Sequence, residues 1–387
     1  MRISIAVNRP FHSVLMANSL KSLNHNVSIY SAAPRRFFSG LDDKVHTRFV
    51  PAPILSAAYK LRLTLPGPLE RFDTFLFDQS VALHLDGTEL FIGWASQALD
   101  TARKAMRHGA RFVLDRACPH RDFQDALVVR EAERVGARMP KLAKWFRERQ
   151  IEEYELAEVI LVPSAYTVSS FPEHLQPKLL KAPLLGRCRF PESVRADRNS
   201  TFTVGVVGGN PLRKGYLYLL QAWRKLALPN ARLLIRGGDF AGYPALQALI
   251  RSMPGVEHVG YVPDISDFYQ RCDVFVLPSI DDGFGMALVE AMANQRACIA
   301  TTHCGASEIM TSGKDGIVVA PGDAEALAEA ILSFYEDEDF RHSVAVQAAR
   351  TARTFAESRA YEGAMETLIS LIREAPLGGA LATEKKP

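Results

Sequence analysis

The stretch Asp282-Gly283-Phe284-Gly285-Met286-Ala287-Leu288-Val289-Glu290-Ala291 decides how this chain is read. Two acidic residues stand eight positions apart, and the first opens a Gly-Phe-Gly turn. Ahead of it runs Asp273-Val274-Phe275-Val276-Leu277-Pro278, a short apolar run of the kind that forms a buried parallel strand. A strand, a glycine turn and a helix in that order place backbone N–H groups and the positive end of a helix dipole at the carboxyl edge of the sheet. Glycines in the turn let the backbone come close to a ligand. Asp282 is expected at the mouth of the site, with Glu290 two turns down the helix on the same face. The ligand suited to this set is a diphosphate group carrying polar hydroxyls.

Outward from that unit, strand-like runs alternate with helical patterns along the chain, the signature of parallel βαβ units. Strands are expected near 2–7, 27–31, 46–50, 89–93, 111–115 and 158–162, and helices near 12–24, 72–84, 96–108, 121–135, 141–156 and 165–172. Between 183 and 201 the text is irregular and polar and reads as an interdomain linker. A fresh strand starts at 201–207, with others at 231–236, 273–278, 297–300 and 316–319, and the segments 323–355 and 356–374 read as helical. The expected class is therefore α/β, with two Rossmann-like doubly wound domains, 1–190 and 200–355, facing across a cleft. The tail 376–387 is expected to be frayed.

Composition agrees. A chain of 387 residues exceeds what one core usually holds. With 48% hydrophobic and 23% charged residues it is ordinary globular material, and a net charge of +3 does not describe a dedicated nucleic-acid binder. Cys118, Cys188, Cys272, Cys298 and Cys304 lack Cys-x-x-Cys spacing and read as free thiols in a reducing compartment. The opening Met1–Val7 is too short in its apolar part for a signal peptide, and no run approaches a membrane span. A cytoplasmic protein is expected.

The central stretch resembles the acidic-X7-Glu motif of family 4 glycosyltransferases with the GT-B fold, which usually reads Glu-Gly-Phe-Gly-(x)4-Glu-Ala-Met-Ala. This chain continues Glu290-Ala291-Met292-Ala293, then Ala297–Thr301, Gly305-Ala306-Ser307-Glu308-Ile309 and Gly316–Asp323, in the order that family has. Arg213-Lys214-Gly215 resembles the family's Arg-Lys-Gly element, whose lysine binds the donor diphosphate. Independently, a lysine at a helix start opposes the dipole unless an anion also sits there. Members often carry an arginine five residues before that lysine. Gly209 stands there, leaving Arg213 as the nearby substitute, though adjacent side chains need not point the same way.

The resemblance implies a retaining, metal-independent transfer of a hexosyl group from a nucleotide diphosphate sugar to a hydroxyl of a glycan or lipid-linked acceptor, as in surface polysaccharide biosynthesis. It places the donor in the second domain and the acceptor in the first, and folds the last helix, 356–374, back onto the first domain. Glu290 would bind the ribose hydroxyls, Asp282 the transferred sugar, and the amides of Gly283, Phe284, Gly285, Met286 and Ala287 the sugar hydroxyls and phosphates. Asp282 is one methylene shorter than the family's glutamate. Tyr261 and Val262 stand where relatives grip the nucleobase. Arg236 ends a strand, where it would reach a phosphate, with a surface role equally open. His120, just past the strand 111–115, matches the family histidine beside the donor sugar; equally, it caps the helix beginning at Arg121. With Lys214 and Asp282 it completes the catalytic set. The first turn, Asn8-Arg9-Pro10-Phe11-His12, lacks the usual paired glycines, so Arg9 or His12 would meet ligand through side chains, with a structural role for His12 as the alternative. That turn also lacks Gly-x-Gly-x-x-Gly, which argues against a dinucleotide oxidoreductase.

No cofactor besides the nucleotide sugar is implied, and no Asp-x-Asp stands at a strand end to hold a metal. A sugar-nucleotide epimerase, or a non-catalytic relative on the same fold, is the alternative. Arg138, Lys141, Lys144, Arg147 and Arg149, with Leu142, Trp145 and Phe146, form a basic aromatic stretch that suggests peripheral contact with an anionic membrane, weighed against a solvated helix.

Overall fold

Short β-branched and apolar runs form two all-parallel sheets in a computed structural model that describes residues 1–38, 41, 46–49, 67–137, 144–184, 188–191, 201–238, 240–260 and 264–374. The first sheet holds β1 (Arg2–Ala6), β2 (Asn26–Ser31), β3 (His46–Phe49), β4 (Leu90–Trp94), β5 (Arg111–Asp115), β6 (Val159–Val162) and β7 (Leu179–Lys181), in the order β3-β2-β1-β4-β5-β6-β7. The second holds β8 (Phe202–Val207), β9 (Ala231–Arg236), β10 (Val256–Val259), β11 (Val274–Leu277), β12 (Ala297–Thr301) and β13 (Ile317–Val319), in the order β10-β9-β8-β11-β12-β13. Each order reverses once, between β1 and β4 and between β8 and β11. Ligands of such sheets bind beyond the carboxyl ends of the strands at the reversal.

The connecting helices are α1 (Ser13–Ser22), α2 (Gly67–His84), α3 (Leu99–Arg107), α4 (Arg121–Arg134), α5 (Lys144–Leu156), α6 (Ala165–Ser169), α7 (Tyr216–Leu226), α8 (Pro244–Ser252), α9 (Ile265–Gln270), α10 (Met286–Ala293), α11 (Ala324–Glu336), α12 (Glu338–Glu357) and α13 (Ala360–Glu374). Strands β4, β5, β6, β11 and β12 are buried at every residue, which explains their continuous apolar runs. β10 carries exposed Glu257 and His258, as an edge strand does, and β7 is only three residues long, so neither was expected from the sequence. The helical run 323–355 is two helices, broken where the Asp337 carboxylate accepts from the Phe340 N–H at 2.8 Å and so starts α12.

One apolar cluster runs from Ile3 and Ile5 through Met16 and Leu20 of α1 to Met365, Leu368 and Ile369 of α13, and on to Leu277 and Leu288 around the second sheet. The last helix is thus packed on the first domain, where Arg111 also donates to the Ile372 carbonyl. Helix α4, which follows β5, contributes Leu127 and Ala132 to the core of the second domain. The two halves thus contribute residues to the same apolar clusters.

The described part of the basic stretch does not face outward throughout. Residues 138–143, with Arg138, Lys141 and Leu142, lie outside the described residues, and α5 starts at Lys144. Arg149 is buried against Asp78, Asp100 and Glu153; Arg147 pairs with Asp122; and the Trp145 ring lies beneath the guanidinium groups of Arg71 and Arg149. Arg149 is thus spent on buried carboxylates, while Arg147 with Asp122 and Lys144 with Glu148 pair at the surface. Among the described residues, no helix is long and apolar enough to cross a membrane.

Candidate active site

Three loops at the carboxyl ends of β8, β11 and β12 meet at one place. The Asn210 side chain accepts from the N–H groups of Leu212 and Arg213, both at 3.1 Å, and so shapes the first turn. The Arg213 carbonyl then accepts from the N–H groups of Ile280 (2.8 Å) and Asp281 (3.1 Å), stitching that turn to the loop after β11. The Lys214 alkyl chain lies over Gly208, where a Cβ would collide with it. Its Nζ ends on Asp282 Oδ2, in a pair that is mostly buried. Asp282 is held in turn by its N–H on the His303 carbonyl at 3.0 Å.

Beyond Asp282, Gly285 takes the left-handed conformation (φ +86°) and starts α10 with no side-chain cap. No acidic residue stands in the first turn. The N–H groups of Met286 and Ala287 therefore meet no partner within their helix. An ammonium, a helix start and a carboxylate converge here, and an anion would be stabilised by the first two. Glu290, further along α10, accepts from the Tyr269 hydroxyl at 3.0 Å. Burial, aided by the Glu290 charge, pushes the Tyr269 phenol well above its ordinary range, so it remains a donor.

Gly283 serves a purpose the sequence did not reveal. A Cβ there would run into the Ala117 carbonyl of the first domain, and the Gly283 carbonyl accepts from Ser164 Oγ (2.6 Å) and Thr167 Oγ1 (3.1 Å). Close approach of the opposite domain, rather than of ligand alone, requires glycine at this position. Phe284 is buried and stacks on Phe355, so its side chain belongs to the core. Met286 is exposed beside the site.

On the facing domain, His120 is the N-cap of α4, its Nδ1 accepting from the Asp122 N–H at 3.3 Å. Its ring is buried beside Tyr154 and Phe171. Burial brings its pKa down to about 4 despite the nearby Asp122. An acceptor Nδ1 puts the proton of the neutral ring on Nε2. The capping role is thus the one the geometry displays. His12 is also buried: Nε2 is 2.8 Å from Asp115 Oδ2, and the ring leans on Trp94 and Tyr361. This pairing anchors the first βα turn to the end of β5. Arg9 is exposed on the same turn. Tyr261 and Val262 lie outside the described residues.

A sequence model of the family described as glycosyl transferases group 1 matches residues 201–337, which contain every element just built around Lys214, Asp282 and Glu290. Residues 201–337 are thus similar to the group 1 glycosyl transferases. The putative glycosyltransferase EpsD of Bacillus subtilis is 31% identical over 156 residues, covering 39% of this chain and 41% of that protein. The capsular polysaccharide biosynthesis glycosyltransferase CapM of Staphylococcus aureus is 30% identical over 155 residues, 38% of this chain and 40% of that one. The matched stretch thus spans less than half the length of these relatives. Over the whole fold, the sucrose-phosphate synthase of Thermosynechococcus elongatus superposes with a TM-score of 0.72 at 17% identity, covering 96% of this chain and 98% of that one. HepE of Anabaena in complex with UDP-glucose superposes at 0.68 and 18%, covering 96% and 100%. The fold of this chain is GT-B.

Sequence reasoning missed the residues that join the two domains of this chain. Asp281, the residue before Asp282, is wholly buried; Gln124 Nε2 donates to it at 2.6 Å and the Tyr166 hydroxyl at 3.2 Å. Arg213 also points to Asp281, its Nε at 2.7 Å, and so diverges from Lys214. These partners lie far apart in sequence, and no local pattern announces them.

Proposed function

We propose that this chain transfers a hexosyl group, with retention and without a metal ion, from a nucleotide diphosphate sugar held by the second domain to a hydroxyl of a glycan or lipid-linked acceptor held by the first. The observation that carries the proposal is the Lys214 ammonium on Asp282, beside the uncapped start of α10. A diphosphate entering there exchanges with Asp282 as the partner of Lys214 and meets the amides of residues 283–287. Asp282 is then released toward the sugar. Glu290, oriented by Tyr269, accepts from the ribose hydroxyls.

As the bond between the anomeric carbon and the diphosphate oxygen breaks, charge develops on the diphosphate, where a fixed ammonium and helix dipole lower the barrier. The acceptor oxygen bonds to the same face, and its proton passes to the departing phosphate oxygen. His120, neutral at physiological pH, offers its Nε2–H to a sugar hydroxyl. Support comes from HepE, whose complexes contain UDP-glucose and UDP, and from CapM, named for capsular polysaccharide biosynthesis.

Thermal shift of the purified chain with UDP, GDP and their sugars tests the reading. One nucleotide at a hundredfold excess over its Kd stabilises by about 2.7 kcal/mol. Lys214→Ala abolishes that response and Glu290→Ala weakens it. No response to any nucleotide ends the proposal, and an isomerised sugar nucleotide formed without acceptor identifies an epimerase instead.

A further inference from the structure

Two neighbouring loops of the second domain carry consecutive cation–carboxylate pairs, Lys214 with Asp282 and Arg213 with Asp281. The first pair stands in the donor site. The second reaches the other domain: Asp281 Oδ2 accepts from Arg213 Nε at 2.7 Å and from Gln124 Nε2 of α4 at 2.6 Å, while Oδ1 accepts from the Tyr166 hydroxyl of α6 at 3.2 Å. We propose that Asp281 is a positioning residue for glycosyl transfer: it sets the acceptor domain in register over the loop that presents Lys214 to the donor.

A buried carboxylate needs both a countercharge and donors for its remaining lone pairs. Arg213 supplies the charge from its own domain, and Gln124 and Tyr166 supply donors from the other. Parting the domains strips those donors from an anion, so the closed arrangement is favoured, by about tenfold or more in equilibrium for each such hydrogen bond. Burial and the adjacent Asp281 push the Tyr166 phenol far above its ordinary range, so it stays a donor. Its ring stacks on His303 of the second domain at 4.7 Å between centroids, and its N–H donates to Glu308 at 2.9 Å. Since Arg213 and Lys214 are adjacent, the register of the domains and the direction of the donor-site ammonium are set by one turn.

The role in transfer rests on the donor reading above; the register itself does not, and hydrogen exchange separates the two. The measurement follows peptides covering 163–171 and 278–286 by mass spectrometry in the full chain, with the β4 peptide as internal control. Tyr166→Phe, which removes one oxygen and keeps the ring on His303, speeds exchange in both seam peptides by about tenfold while the control is unchanged. Gln124→Glu sets two carboxylates side by side and speeds it more. Adding Asp281→Asn to Gln124→Glu leaves one carboxylate beside Arg213 and restores slow exchange, a rescue that packing alone does not produce. Seam exchange within twofold of wild type in both single variants, or no rescue in the double variant, overturns the proposal. UDP and GDP thermal shifts on the wild type report the donor reading separately: their failure sinks that reading, whatever the seam peptides do.

Discussion

Two buried groups in the first domain titrate in opposite senses, and together they flatten the pH dependence of stability. His120 is brought from an ordinary 6.5 to about 4, chiefly by burial. Glu153 is pushed from 4.5 up to about 7 by burial, which outweighs the N–H groups of Ala98 and Ser96 and the nearby Arg149. The unfolded chain protonates His120 near pH 6.5 and the folded chain only near 4. Its share of stability is therefore complete above 6.5 and is lost as pH falls toward 4. Glu153 is protonated in the fold up to about 7 but only below 4.5 when unfolded, so its share is complete below 4.5 and is lost as pH rises to 7. Each shift corresponds to about 3 kcal/mol, and over most of the window the two slopes oppose. His120→Asn keeps a capping side chain and removes one titration; its stability falls relative to wild type by about 3 kcal/mol more at pH 7 than at pH 4. Glu153→Gln has the reverse slope, whatever constant loss the amide causes. Urea unfolding of the three proteins at half-unit steps between pH 4 and 7.5 checks this, because every other titrating group is common to them. An unchanged pH profile in His120→Asn refutes the assignment of a depressed histidine to this cap.

Three further outcomes follow from contacts already described. Gly283→Ala drives a methyl group into the Ala117 carbonyl across the domain seam, lowering thermal stability by about 1–3 kcal/mol in calorimetry and spreading the domains in solution scattering. Tyr269→Phe removes the hydroxyl that orients Glu290 and weakens nucleotide binding about tenfold by calorimetric titration, with little change in the melting of the free protein. Arg149→Met leaves Asp78 buried without its cation and costs about 3–5 kcal/mol in urea unfolding; a loss below 1 kcal/mol would mean that the arginine is not its partner.

The local grammar of the chain determined its architecture. Continuous apolar runs at β4, β5, β11 and β12 are what strands buried on both faces require, and their alternation with helical spacing leaves parallel sheets as the outcome. The same grammar marked Lys214 and the Asp282–Glu290 stretch, because a turn, a cap and a helix start are set by residues close in sequence. Tertiary structure alone decided what those residues face. Gly283 makes room for the other domain, Arg213 turns from Lys214 toward Asp281, and Arg147 and Arg149 are consumed by acidic partners on other helices. A carboxylate and its donors separated by 115 or 157 positions meet only after both sheets have formed, so nothing in their neighbours encodes the pairing. Such contacts depend on where whole domains come to rest, and that is settled by the apolar surfaces they share.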